Sequence, residues 1–183
     1  EHLFVRRFKK DVEAEAGRSF TEREIHRREV QASPAEEAAL AALRGLELHN
    51  LGRTRNDVDR LFPWTLVKAF LSSPHACLES IDERLDRVDR ALADDHPYAE
   101  RLEKDAETLR ELRARVEPCL GDFRKLGQLV RDLRAIGFDG GPKSPRVIIF
   151  SERIRTLEML REELARTFDV PADDGPIAVF DAS

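Results

Sequence analysis

Ser151 lies where an apolar run, Val147, Ile148, Ile149 and Phe150, gives way to a helical pattern, and Arg153 and Arg155 follow it at two-residue steps. A hydroxyl and two guanidiniums at a helix start are residue types that hold a phosphate. The first amides of a helix have no internal partner, and its dipole favours an anion there. In open α/β sheets ligands collect at this place, beyond the carboxyl end of a strand. The simpler alternative is that Ser151 only caps the helix. A second basic cluster, Arg6, Arg7, Lys9 and Lys10, stands near the N-terminus. It also suits phosphate contact, although a solvated helix face would carry the same residues.

Other chemistries find less support. His75 and Cys77 are two residues apart, so on a helix they point to different sides and cannot share one metal ion. There is no G-x-S-x-G elbow for nucleophilic catalysis. Asp139-Gly140-Gly141-Pro142-Lys143-Ser144 places a lysine and a serine after glycines, but no glycine directly precedes Lys143. Pro142 also removes an amide that a phosphate cradle needs, so the stretch reads as a turn. No catalytic residue, metal or cofactor is expected within the 183 residues.

The elements that would position Ser151 are a short buried strand over Val147 to Phe150 and a helix whose stripe is Ile154, Leu157, Met159, Leu160 and Leu164. A continuous apolar run is how a strand covered on both faces of a parallel sheet reads. Ile177 to Phe180 is a second candidate strand, completing one βαβ unit. Ahead of it the sequence is helical. Ser33 with Pro34 and Glu36 has the form of a capping box with proline at the first position, predicting a helix to about Leu48. Phe4, Val5, Phe8 and Val12 predict a short helix before it. Ile25 to Val30 reads as extended, and Leu51 to Asp59 as a loop.

Leu61 to Leu71 is an apolar cluster that Pro63 interrupts. Ser73 with Pro74 starts a further helix, predicted to run to about Leu92. Pro97 starts another, with Leu102, Leu109 and Val116 seven apart, so the two helices are expected to form an antiparallel hairpin. Pro118 marks a boundary, and a helix from about Asp122 ends at Gly137.

Charge is uneven along the chain. The net charge is −5, and Glu79 to Glu117 alone holds 13 acids against 8 bases. A polyanion should therefore avoid the hairpin and use local arginine clusters. Two cysteines far apart give no disulfide framework. No apolar stretch reaches the roughly 18 residues needed to span a bilayer. A soluble, cytoplasmic protein with no membrane partner is expected, and a chain that starts at Glu1 without methionine is expected to continue upstream.

Several segments together resemble a known family. Phe4-Val5-Arg6-Arg7-Phe8-Lys9-Lys10-Asp11-Val12 resembles the segment that ends the first RecA-like lobe of Swi/Snf-type superfamily 2 ATPases. Val30 to Glu37 resembles the extended segment and serine-proline helix start that follow it. Lys125-Leu126-Gly127-Gln128-Leu129, Arg146 to Ser151 and Thr156 to Leu160 resemble the run into motif IV and the first helix of the second lobe. Phe70-Leu71-Ser72-Ser73-Pro74-His75-Ala76 is similar to a segment of bacterial helicase-like members. The resemblance implies an ATP-dependent helicase or translocase that moves on nucleic acid, double-stranded DNA by expectation, with ATP and magnesium bound by the parent protein.

It implies a mainly α chain in which a helical insertion is followed by a partial RecA-like α/β unit. Residues 1–32 would end lobe 1, 33–137 would form the insertion, and 138–183 would begin lobe 2. Ser151, Arg153, Arg155, Arg6, Arg7 and Lys10 become the candidate nucleic-acid contacts, and the fragment itself is expected to be inactive. A partial lobe is also expected to leave an apolar face that favours self-association. The competing expectation is a non-enzymatic helical adaptor whose acidic hairpin docks a partner.

Overall fold

A computed structural model describes residues 24–48, 61–93, 98–173 and 175–180. The expected helix over Phe4 to Val12, with Arg6, Arg7 and Lys10, lies outside the described residues, as does the loop expected over Leu51 to Asp59. The described chain is mainly helical. Helix α1 is Pro34–Arg44, opened by the predicted capping box: Glu36 N donates to Ser33 Oγ at 3.3 Å and Ser33 N donates to Glu36 Oε2 at 2.7 Å. It stops short of Leu48 because Gly45 takes the C-cap and returns its N–H to Ala41 O. The stretch from Glu24 to Ala32 has no regular structure, and the Arg28–Asp132 ion pair, at 3.1 Å, ties it across a later helix.

Pro63 does not interrupt the next helix. Helix α2 is Phe62–Ser72, and Pro63 sits in its first turn, where its missing N–H has no intrahelical role. Ser73, in extended backbone (φ −160°, ψ 155°), ends α2 and leads directly into α3, Pro74–Ala93. Its Oγ accepts from Ala76 N at 3.1 Å, so one serine closes one helix and caps the next. Helix α4, Ala99–Val116, runs antiparallel to α3, as expected. Arg113 pairs with Asp82 and Arg110 with Asp89, so the partner number rises on α3 as it falls on α4. Leu102, Leu109 and Val116 are all buried on the seam. A 3-10 turn over Glu117–Leu120 then leads to α5, Arg124–Ala135, and α6, Ile154–Phe168, follows.

Two main apolar cores result, beside a small cluster of Val88, Leu102 and Ala106 between α3 and α4. The larger gathers Leu43, Leu66, Phe70, Ile81, Leu109 and Val116 from α1 to α4, together with Cys77 and Cys119. The smaller gathers Leu133, Met159, Leu160 and Leu164 from α5 and α6. The two are bound together, because α6 packs on α3 as well as on α5.

Neither candidate strand forms a ladder, and no strand occurs among the described residues. The reason lies in the backbone: among the described residues no main-chain hydrogen bond joins 145–150 or 177–180 to another segment. Burial alternates along Ile177 to Phe180 as on an extended chain, whereas in the first run Val147 is exposed too and Ile149 alone is covered. Ile149 and Ile177 pack against the smaller core, whereas Ile148 is 78%, Phe150 89% and Phe180 88% exposed. The run expected to be covered on both faces is covered on one.

Candidate nucleic-acid interface

The turn from Phe150 to Thr156 meets the junction of α2 and α3 through a cluster of four hydroxyls. Thr156 Oγ1 lies 2.8 Å from both Ser72 Oγ and Ser73 Oγ, and Ser72 Oγ lies 3.2 Å from Ser151 Oγ. Ser73 and Thr156 are buried, so each hydroxyl needs these partners to offset lost hydration. Ser72 and Ser151 are half-buried at the mouth of the cluster. Ser151 Oγ also accepts from Arg153 N at 3.2 Å.

Ser151 is therefore not the cap of α6. Arg153 occupies the N-cap and its own side chain makes no capping bond, while its N–H is taken by Ser151 Oγ from two residues upstream. The two arginines do not point jointly into this space. Arg153 Nη2 donates to Thr65 O of α2 at 3.5 Å, and Arg155 Nη1 pairs with Glu158 at 3.2 Å along the helix. Two lysines serve instead. Lys125 Nζ donates to Leu71 O, a carbonyl near the C-terminal end of α2, where a cation is favoured. Lys68 is exposed on α2.

Lys68, Ser72, Lys125, Ser151 and Thr156 line a cleft of about 560 Å³, with Glu152 as its acid and Phe150, Leu126, Leu129 and Leu160 as apolar walls. Two cations, three hydroxyls and a helix start can hold one phosphate: the cations supply attraction, and the hydroxyls direct hydrogen bonds. Sequence reasoning placed Ser151 here but missed Lys68, Ser72 and Thr156. Ser72 was visible only as part of the Ser72-Ser73-Pro74 helix start, and Lys125 only as part of Lys125 to Leu129. Thr156 was visible only as the start of Thr156 to Leu160, and nothing in Lys68, taken alone, marks it as a neighbour of Ser151. Arg6, Arg7 and Lys10 lie outside the described residues.

A larger cleft, about 810 Å³, lies on the other side of α5 and includes His75, Arg124, Arg131, Arg134 and Glu163. Its charges are largely answered within the chain: Arg124 pairs with Asp122, Glu163 with Arg166, and Arg131 donates to Gln128. Burial, then the positive charge of Arg155, lowers the basicity of His75. Cys77 is inert at neutral pH, since burial first and Cys119 second push its thiol up to about 12. Among the described residues no group of three or more His, Cys, Asp or Glu side chains comes together to hold a metal ion. No helix among them is long and apolar enough to cross a membrane. No protein-family model, curated protein or solved structure matches the chain.

Proposed function

We propose that the chain is the inter-lobe stretch of a Swi/Snf-type ATP-dependent motor, and that the cleft between α2, α5 and the Phe150 to Thr156 turn receives a phosphate of the nucleic-acid backbone. One observation carries the reading. Ser72 with Ser73, Ser151 and Thr156 fall in three separate segments of the resemblance, Ser72 and Ser151 being 79 positions apart, and they share one hydroxyl cluster. A turn that grips a backbone phosphate needs its hydroxyls fixed beforehand, and the buried Ser73 and Thr156 fix them here.

On this reading residues 138–183 open the second RecA-like lobe, and Val147 to Phe150 and Ile177 to Phe180 belong to its sheet. The parent protein, placed in the cytoplasm, would supply ATP and magnesium sites. The 183 residues contain no G-x-x-x-x-G-K-[ST] stretch, so the chain itself binds and positions without hydrolysing ATP. Lys68 and Lys125 attract the backbone, Ser72 and Ser151 orient it, and the acidic α3–α4 hairpin keeps the polyanion from its own face.

The test is fluorescence anisotropy with a short DNA duplex across a salt series. Binding should weaken as salt rises, and Lys68→Ala should lower the log–log salt slope by about 1. Ser151→Ala combined with Lys68→Ala should weaken binding about tenfold, a loss of about 1.4 kcal/mol. Affinity and slope unchanged in that pair would overturn the assigned contact. DNA-stimulated ATP turnover by the 183-residue chain would overturn the inter-lobe assignment.

A further inference from the structure

We infer that the phosphate cleft continues along α2 into a base-stacking platform on Trp64 and Phe150, so that the nucleic acid held here is a single strand with its bases turned out. This choice of strand rests on the phosphate contact proposed above. A phosphate alone leaves part of the cleft unused. Lys68, Lys125 and the hydroxyls suit an anion, but Phe150, Leu126, Leu129 and Leu160 in the same walls offer a phosphate nothing. A nucleotide uses both surfaces, its phosphate on the cations and its base on the apolar side.

Helix α2 carries the same alternation beyond the cleft. Trp64, Lys68 and Leu71 stand at i, i+4 and i+7, on one face of the helix, and all three are exposed, Trp64 to 59%. Lys68 and Leu71 line the cleft, so that face leads from the cleft to the indole. At about 1.5 Å per residue, Trp64 lies about 6 Å along the axis from Lys68 and about 12 Å from Ser72, within reach of the nucleotides next to one whose phosphate sits at Ser72. Arg153 Nη2 donates to Thr65 O at 3.5 Å, which brings a third cation beside Trp64. Cations that track a backbone, with rings set between them, are the composition of a single-strand platform.

The chemistry of this face selects its occupant. In a duplex the bases are paired and stacked inside the backbone, and the grooves present only their edges. In a single strand each base can turn a face to a ring. A wholly apolar peptide would cover Trp64 and Leu71 but bury the Lys68 ammonium between them without a counter-charge. A strand brings one negative charge with every base, which matches the alternation along α2.

Trp64 is the sole tryptophan of the chain, so its emission reports on this platform alone. Titration with an oligothymidylate of about 12 nucleotides should quench that emission. A duplex of the same length, and an abasic strand with the same phosphates, should bind in the anisotropy assay and leave the emission unchanged. Trp64→Ala should lower the affinity for oligothymidylate relative to duplex about tenfold, or about 1.4 kcal/mol, with helical circular dichroism intact, and Trp64→Phe should recover most of that loss. Salt-sensitive binding of all three nucleic acids with no change in Trp64 emission overturns the platform and leaves the phosphate contact standing. Absence of binding by all three overturns both. Emission that responds to a peptide of alternating Glu and Leu but not to oligothymidylate, or that changes with protein concentration alone, assigns this face to a protein and also overturns the platform.

Discussion

Replacing Ser73 and Thr156, singly and together, measures the seam that joins α2 and α3 to α6. Ser73→Ala removes the cap on Ala76 N, worth about 1 kcal/mol, and the 2.8 Å bond to Thr156, worth about 1 kcal/mol more, for a loss of about 2 kcal/mol. Thr156→Val keeps the shape of the side chain but deletes the bonds to both Ser72 and Ser73, again costing about 2 kcal/mol. The Ser73–Thr156 bond is counted in both single changes. The double variant should therefore lose about 3 kcal/mol, about 1 kcal/mol less than the two losses added together. Urea unfolding followed by helical circular dichroism reads these values. At about 2 kcal/mol per molar of urea, each single change should move the midpoint by about 1 M. Losses that add to within about 0.3 kcal/mol would refute the reasoning, because uncoupled residues do not share a hydrogen bond.

Two further outcomes follow from burial and backbone geometry. Because the folded state raises the Cys77 thiol from 9.0 to about 12, stability from this group is complete below pH 9 and is lost as pH rises towards 12. Urea unfolding at pH 8, 9 and 10 should show a loss of about 1.4 kcal/mol between the first and the last, about 1 kcal/mol of it between pH 9 and pH 10, absent in Cys77→Ala; native Cys77 should also resist thiol reagents at pH 8 until urea unfolds the chain. Gly137 and Gly140 both have positive φ, at 83° and 78°, but a Cβ at Gly137 meets open space while one at Gly140 would lie 2.8 Å from Val170 Cγ1. Gly137→Ala should cost about 1 kcal/mol from backbone strain alone, and Gly140→Ala clearly more, so the reverse order in a thermal melt would contradict this account.

The local signals in this sequence were read correctly where their physics is local. Ser33, Pro34 and Glu36 form the predicted capping box because all its partners lie within four residues. Ser73 with Pro74 starts α3 for the same reason. Pro63 misled because proline breaks a helix interior yet suits a first turn, and where a helix begins depends on neighbours that composition does not rank. Val147 to Phe150 misled differently. Its apolar run states what could be covered, not what covers it, and only the side bearing Ile149 meets a core. The candidate site was half legible. Ser151 follows from its place before a helix, but its meeting with Ser72 and Thr156 depends on how α6 packs on α3, a relation no spacing encodes.

That packing gives α3 the mechanics of a lever. Its first turn is pinned to α6 by Ser73 and Thr156, while its far end, about 30 Å away at 1.5 Å per residue over 20 residues, is clasped by α4 through Val88, Leu102 and Ala106. Ser73 is a single extended residue between two helices, but it is fully buried, and Cys77 and Ile81 of α3 share one core with Leu66 and Phe70 of α2. A tilt at the serine seam is therefore carried by α2 and α3 as one body, and over the length of α3 a tilt of about 10° becomes a displacement of about 5 Å, the length of a side chain.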